Sequence, residues 1–327
     1  MSLKNSLQTN KLTSGVYEWA RGIKKDLEHS HRFAWQKASY KFINRSHGYK
    51  KMCVLLAGYK PFLYDVTFSR IAKYIDDDID MCVVTSGLFS KDVSDRCERH
   101  GWSYLYTKAN NVALVQNLAI WLHPKAEYIY KMDEDIFVTQ KSFKTMYDTL
   151  IHCENEGEYN PLFVAPLLPI NGFCYLEVLK KFNIVDDYER KFGKAKYACG
   201  ADKIIENNPE VAKFFWGEKD VVPHIDSMNK ELQKEKLNYL PCPIRYSIGF
   251  ILLNRKIWDE MEGFTVVMNT SAMGVDEYEL CLMTMKKTYT IIVSENCVCG
   301  HLGFGAQNAV MKQYFLENQG AFQFLRE

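Results

Sequence analysis

Apolar residues along this chain fall into short unbroken runs separated by stretches of helical spacing. The first run, Met52-Cys53-Val54-Leu55-Leu56-Ala57, shows no alternation, which is the pattern of a strand covered on both faces. Similar runs recur at Met81 to Val84, Tyr104 to Thr107, Tyr128 to Lys131 and Leu162 to Pro166. Between them, Val112, Val115, Leu118, Ala119 and Leu122 keep one helix face over 111–123, with Asn111 placed to cap it. Strands alternating with helices predict an α/β fold with a Rossmann-like, mixed but mostly parallel central sheet flanked by helices. Ligands of such a sheet bind at the carboxyl ends of its strands.

Two stretches depart from the pattern. Residues 1–48 carry nine Lys or Arg against three Asp or Glu (9 − 3 = +6), and Val16, Trp19, Ile23 and Leu27 are spaced for one helix face. This predicts a basic amphipathic N-terminal helical arm, which either makes peripheral contact with an anionic membrane surface or packs on the rest of the protein. Residues 171–245 are more polar, with charged runs such as Lys230 to Lys236 and little strand character, and read as a helix-rich insertion or lid. Tyr246 to Asn254 and Tyr289 to Val298 return to strand-like runs, so the sheet resumes. The organisation expected is an arm at 1–48 and one domain at 49–327, the latter divided into a half at 49–138, the insertion at 171–245, and a second half with the C-terminal tail at 246–327.

Composition narrows the function classes. Across 327 residues, 47% hydrophobic and 25% charged side chains suit a folded globular protein and exclude disorder. Forty-one Lys plus Arg against forty Asp plus Glu leave a net charge of +1, so the molecule lacks the basic field of a nucleic-acid binder. No run of about 18 apolar residues occurs, and the N-terminus lacks the pattern of a secretory signal, so a cytoplasmic protein is expected, peripheral to a membrane if the arm docks there. The ten cysteines include no C-x-x-C pair and sit mainly in strand-like runs, which predicts buried reduced thiols rather than a zinc site.

The candidate chemistry begins at the end of the strand Tyr128 to Met132, where Asp133-Glu134-Asp135 stands. D-x-D spacing on a strand would point Asp133 and Asp135 to the same side. Two hard oxygen ligands so placed suit Mg2+ or Mn2+ carrying phosphates; the alternative is a solvated acidic turn. A second block, Ser247-Ile248-Gly249 through Trp258 and then Glu262-Gly263-Phe264, is followed by Gly274-Val275-Asp276-Glu277-Tyr278-Glu279-Leu280. Asp276 and Glu277 are either catalytic carboxylates or favourable charge at a helix N-terminus. A third block, Cys299-Gly300-His301-Leu302-Gly303, places an imidazole between glycines after the last strand.

These three blocks, in this order, resemble the GT-A-fold, nucleotide-sugar-dependent glycosyltransferases that use a D-x-D motif and a divalent metal. Asn110-Asn111-Val112 through Asn117-Leu118-Ala119, then Ala126-Glu127-Tyr128-Ile129, is similar to the family's Asn-containing helix and the strand that leads into D-x-D. The resemblance covers about 51–138 and 246–304. It implies a metal-dependent, hexosyltransferase-type enzyme that passes a sugar from a UDP-sugar or related donor to a carbohydrate or lipid-linked acceptor, with inversion, as in polysaccharide biosynthesis. It further implies Mn2+ or Mg2+ held by Asp133, Asp135 and His301. Glu277 would be the base, with Asp276 binding acceptor hydroxyls, although the order of these acids is inverted relative to the family's G-E-D. The donor would meet Ala57, Gly58, Tyr59, Lys108, Asn117, Asp133, Glu134 and Gly249, with Thr85 standing where many members carry a base-reading Asp. The insertion, with Trp216, would select the acceptor. Two other readings stand beside this one. They are a nucleotidyltransferase acting on sugar phosphates, for which Ala57-Gly58-Tyr59-Lys60-Pro61 is a poor phosphate loop, and a non-catalytic sugar-binding scaffold.

Overall fold

The computed structural model describes residues 34–217, 221–267 and 274–325. From the N-terminus, β1 (Tyr40–Ile43), β2 (Lys51–Ala57), α1 (Tyr64–Tyr74), β3 (Ile79–Ser86), α2 (Lys91–His100), β4 (Ser103–Thr107), α3 (Val112–Trp121) and β5 (Tyr128–Asp133) form the first half. Then follow β6 (Ile136–Phe137), α4 (Ser142–Asn155), β7 (Pro161–Leu167), α5 (Cys174–Lys181), α6 (Val185–Phe192), α7 (Ile204–Asn207), α8 (Pro209–Phe215) and α9 (Ile225–Leu232). The remainder is β8 (Tyr239–Cys242), β9 (Phe250–Asn254), α10 (Arg255–Glu260), α11 (Val275–Lys287), β10 (Thr290–Val298), β11 (Gly300–His301) and α12 (Asn308–Glu317).

The α/β class and mixed sheet are as expected. Nine strands run in the order β1-β4-β3-β2-β5-β9-β7-β10-β8, and a separate ribbon pairs β11 with β6. Strands β4, β3, β2 and β5 form a parallel block, and β7 and β10 pair in parallel on the other side of antiparallel β9. The unbroken apolar runs arise because helices cover both faces. Along β2, Met52 and Val54 enter one core cluster, with α3, the insertion and the C-terminal segment, while Cys53 and Leu55 enter the other, with α1, α2 and α4. Register places Ala57 beside Thr85 and Leu56 beside Asp133, so the carboxyl ends of the parallel block line one edge. The thiols are free, and all but Cys199 and Cys281 are buried. No helix among the described residues is long and apolar enough to cross a membrane.

Three expectations change. At the described end of the arm a 3-10 helix at Ala34–Lys37 leads into β1, a strand the sequence did not announce, which extends the sheet antiparallel to β4, and Trp35 packs edge-on to Trp121 and Trp258. Val16, Trp19, Ile23 and Leu27 lie outside the described residues. The stretch 171–245 is helix-rich but not separate from the sheet, since β8 pairs with β10 at its edge; Pro241 inside β8 is tolerated because that edge needs no further donor. The strand anticipated from Tyr246 begins only at Phe250, and 246–249 runs as irregular chain into the site.

Candidate functional site

The D-x-D motif does not lie on one continuous strand. Strand β5 stops at Asp133, and Glu134-Asp135 form the turn into β6, so the alternation that would align the two aspartates is broken. Asp133 accepts a hydrogen bond from Lys131 Nζ at 2.7 Å through Oδ1, while its Oδ2 lies next to Gly249. Lys131 is 6% exposed and also donates to the Ile248 carbonyl at 2.7 Å, which satisfies an ammonium inside a buried strand. Asp135 turns the other way, 4% exposed, to meet Lys60 Nζ and the imidazole of His301, whose Nε2 is 3.5 Å from Asp135 Oδ2. Burial alone would raise the Asp135 carboxyl, but the Lys60 and His301 charges outweigh it and hold the group below the usual carboxylate range.

Glu134 between them is inward-facing. Its carboxylate accepts from the amides of Gly58 at 2.8 Å and Tyr59 at 2.9 Å and from the Tyr64 hydroxyl at 3.0 Å, and burial pushes its pKa up to about 7. It therefore fixes the loop that follows β2, with its carboxylate engaged inside the protein.

His301 arrives by the β6–β11 ribbon, in which it lies opposite Ile136, one residue from Asp135; the Leu302 amide donates to the Asp135 carbonyl at 3.1 Å. Its Nδ1 faces the Ile170 carbonyl at 3.3 Å while its Nε2 faces Asp135, so the ring is held between a backbone carbonyl and a carboxylate. Gly300 has a reason other than access for a diphosphate: a Cβ there would sit 2.4 Å from Trp216 Cη2. The Trp216 indole donates to the His301 carbonyl at 3.0 Å and is 5% exposed, so it braces the ribbon from within the core and is not an acceptor platform.

At the N-terminus of α11, Glu277 Oε1 accepts from Arg245 Nε at 2.5 Å. Burial raises the Glu277 carboxyl while Arg245 and, more weakly, Lys131 pull it down, so the Lys131 ammonium bears on Glu277 as well as Asp133. Asp276 instead accepts from Gln116 Nε2 at 3.0 Å, joining α11 to α3.

Other anticipated donor residues divide by exposure. Asn117 is fully buried; its Nδ2 donates to the Phe264 carbonyl at 2.8 Å, and its Oδ1 accepts from Trp258 Nε1 at 3.1 Å and Phe264 N at 2.9 Å. Thr85 is equally buried, bonded to the Leu88 carbonyl and the Tyr104 hydroxyl. Both side chains are buried with their hydrogen bonds taken up inside the protein. Ala57 is buried, Gly58 sits at φ +124°, where a side chain is strained, and Tyr59 is 56% exposed with its hydroxyl on Asn110 Oδ1 at 2.8 Å. Lys108 is exposed just past the end of β4. Lys60, Lys131, Gln116 and Arg245 pair with the acids, a role that the sequence reading gave to none of them. Lys131, a charge inside an apolar run, was the one visible sequence signal.

Among the described residues no three His, Cys, Asp or Glu side chains form a ready metal cage. The donor chemistry nevertheless fits a divalent ion in part: a buried carboxylate and an imidazole nitrogen converge, a pair that would suit Mn2+ with phosphate oxygens and water completing its shell. Asp133 stands two residues before Asp135, at the end of β5. No protein-family profile matches the chain, and no curated protein sequence is significantly similar to it. Among solved structures, glucosyl-3-phosphoglycerate synthase from Mycobacterium tuberculosis in complex with Mn2+, UDP and phosphoglyceric acid aligns with a TM-score of 0.40 and 10% identity over 86% of this chain and 82% of that one. Its complex with Mg2+ and UDP gives 0.40 and 12% over the same shares, and a mycobacterial protein gives 0.41 and 12% over 86% and 78%. At these scores the likeness assigns no role to any residue here.

Proposed function

We propose that this protein is a metal-dependent glycosyltransferase that passes a sugar from a UDP-sugar or related nucleotide sugar to a hydroxyl of a carbohydrate or lipid-linked acceptor, with inversion. The observation that carries the reading is the convergence of Asp135 and His301 through the β6–β11 ribbon at the carboxyl edge of the parallel block, with Asp133 and Lys131 beside them. Asp135 and His301, with Asp133 supplying a further oxygen, would hold Mn2+ or Mg2+. When bound, such an ion neutralises charge on a departing diphosphate. Lys131 fixes one oxygen of Asp133 and leaves the other facing Gly249, where the lack of a Cβ gives a sugar room. Glu277 takes the proton of the acceptor hydroxyl. Arg245 orients it through Oε1, and its raised pKa brings its basicity nearer neutrality. The loop after β2 argues against the nucleotidyltransferase reading, since the Gly58 and Tyr59 amides that would cradle a triphosphate are taken by the Glu134 carboxylate.

Ligand-induced thermal stabilisation tests this directly, because a ligand that binds only the folded state raises apparent stability. A shift with UDP or a UDP-sugar that needs Mn2+ and disappears in Asp135→Ala is expected. Stabilisation only by nucleoside triphosphates would favour the nucleotidyltransferase, and no shift with any nucleotide would leave a non-catalytic scaffold as the better reading.

A further inference from the structure

Asp135, a proposed metal ligand, already meets a cation supplied by the chain itself. Lys60 Nζ donates to Asp135 Oδ2, the same oxygen that faces His301 Nε2. We propose, resting on the metal-dependent reading above, that Lys60 is a built-in counter-ion which holds the Asp135–His301 pair closed to free divalent metal and yields its place when metal arrives together with a nucleotide diphosphate.

A carboxylate as buried as that of Asp135 is costly without a partner, so the fold must provide a positive charge there in every state. An ammonium and a divalent ion at the same oxygen repel one another, so the two occupancies exclude each other. Lys60 is built to alternate. Its loop is anchored by the amides of Gly58 and Tyr59 on Glu134, the middle residue of the same motif, and by Pro61 at the start of a 3-10 turn. The flexible four-carbon stem can therefore swing Nζ away without moving the backbone. Its side chain is 18% exposed, against 4% for Asp135. Lys131 is the contrasting case: at 6% exposure, and bonded to the Ile248 carbonyl as well as Asp133, it is fixed. Once displaced, Lys60 needs an anion, and a diphosphate at the ends of β2 and β5 supplies one. The consequence is synergy: metal alone binds weakly, and metal with diphosphate binds well.

Lys60→Met removes the charge and keeps the length. Mn2+ binding without nucleotide, followed by the electron paramagnetic resonance of free Mn2+, is expected to tighten by roughly tenfold or more, because a unit charge a few ångströms from the ion is gone. UDP binding at saturating Mn2+ is expected to weaken several-fold. Mn2+ affinity equal to or below that of the wild type would overturn the proposal. A second measurement uses the unaltered chain, so that misfolding of the variant cannot hide the answer: acetylation of Lys60, read by peptide mass spectrometry, should accelerate at Mn2+ concentrations that saturate the protein. An unchanged rate would equally overturn it. If no nucleotide stabilises the wild type with any metal, the transferase reading fails, while the Mn2+ titration of Lys60→Met still decides the role of Lys60.

Discussion

Replacing Asn117 with alanine separates a structural role from a ligand-binding one. The side chain is fully buried and makes three hydrogen bonds, one to the Phe264 carbonyl and two from Trp258 Nε1 and Phe264 N. Alanine leaves three polar groups without partners beside residues that are themselves 1% and 6% exposed. Each such group costs about 1–3 kcal/mol, and partial relaxation of the Gly263-Phe264 segment brings the expected total to about 3–5 kcal/mol. For a chain of this size each kcal/mol lowers the melting temperature by about 2 °C, so a fall of about 6–10 °C is expected in thermal unfolding followed by circular dichroism. Affinity for UDP with Mn2+, measured well below the transition, should stay close to that of the wild type. Any modest loss would act through Thr265, which is tied to Glu279 of α11. The reasoning is refuted if Asn117→Ala melts within about 1 °C of the wild type yet loses nucleotide binding, because Asn117 would then be a ligand and not a brace.

Two further outcomes are expected. Gly300→Ala forces a methyl to within 2.4 Å of Trp216 Cη2, and relieving the clash should cost about 1–3 kcal/mol and weaken Mn2+ binding by shifting His301; unchanged melting and metal affinity would sink the idea that the Trp216 brace sets the ribbon. His123 is buried, its Nδ1 donates to the Ala119 carbonyl at 2.7 Å and its Nε2 has no partner, so burial lowers its pKa below the usual 6.5. Its contribution to stability is then full above the unfolded value and lost as pH falls through the folded one, and a His123 nuclear magnetic resonance titration with a midpoint at or above 6.5 would contradict this.

Much of the fold was legible in one dimension because burial on both faces of a sheet writes itself as unbroken apolar runs. β2, β3, β4, β5, β7 and β10 all fall on runs identified by pattern, and Asn111 caps α3 as anticipated, accepting from the Leu114 amide. Edge elements escaped. β1 and β8 have four residues each; β1 alternates half-buried with exposed positions, β8 contains a proline, and both owe their strand state to the neighbours β4 and β10, not to local pattern. The candidate acids and His301 were picked out by residue type and order, since carboxylates at a strand's end are visible without coordinates. Which of them meet was decided only by the tertiary structure. A two-residue ribbon sets His301 against Asp135, a turn after Asp133 breaks the alternation that would have aligned the two aspartates, and cations from distant segments pair with them. Lys60 and Arg245 lie 75 and 32 residues from the acids they hold, and no local periodicity encodes a contact at that separation. Asn117 and Thr85 show the reverse limit. Sequence tells that a polar side chain is present, and only packing tells that its hydrogen bonds are already taken.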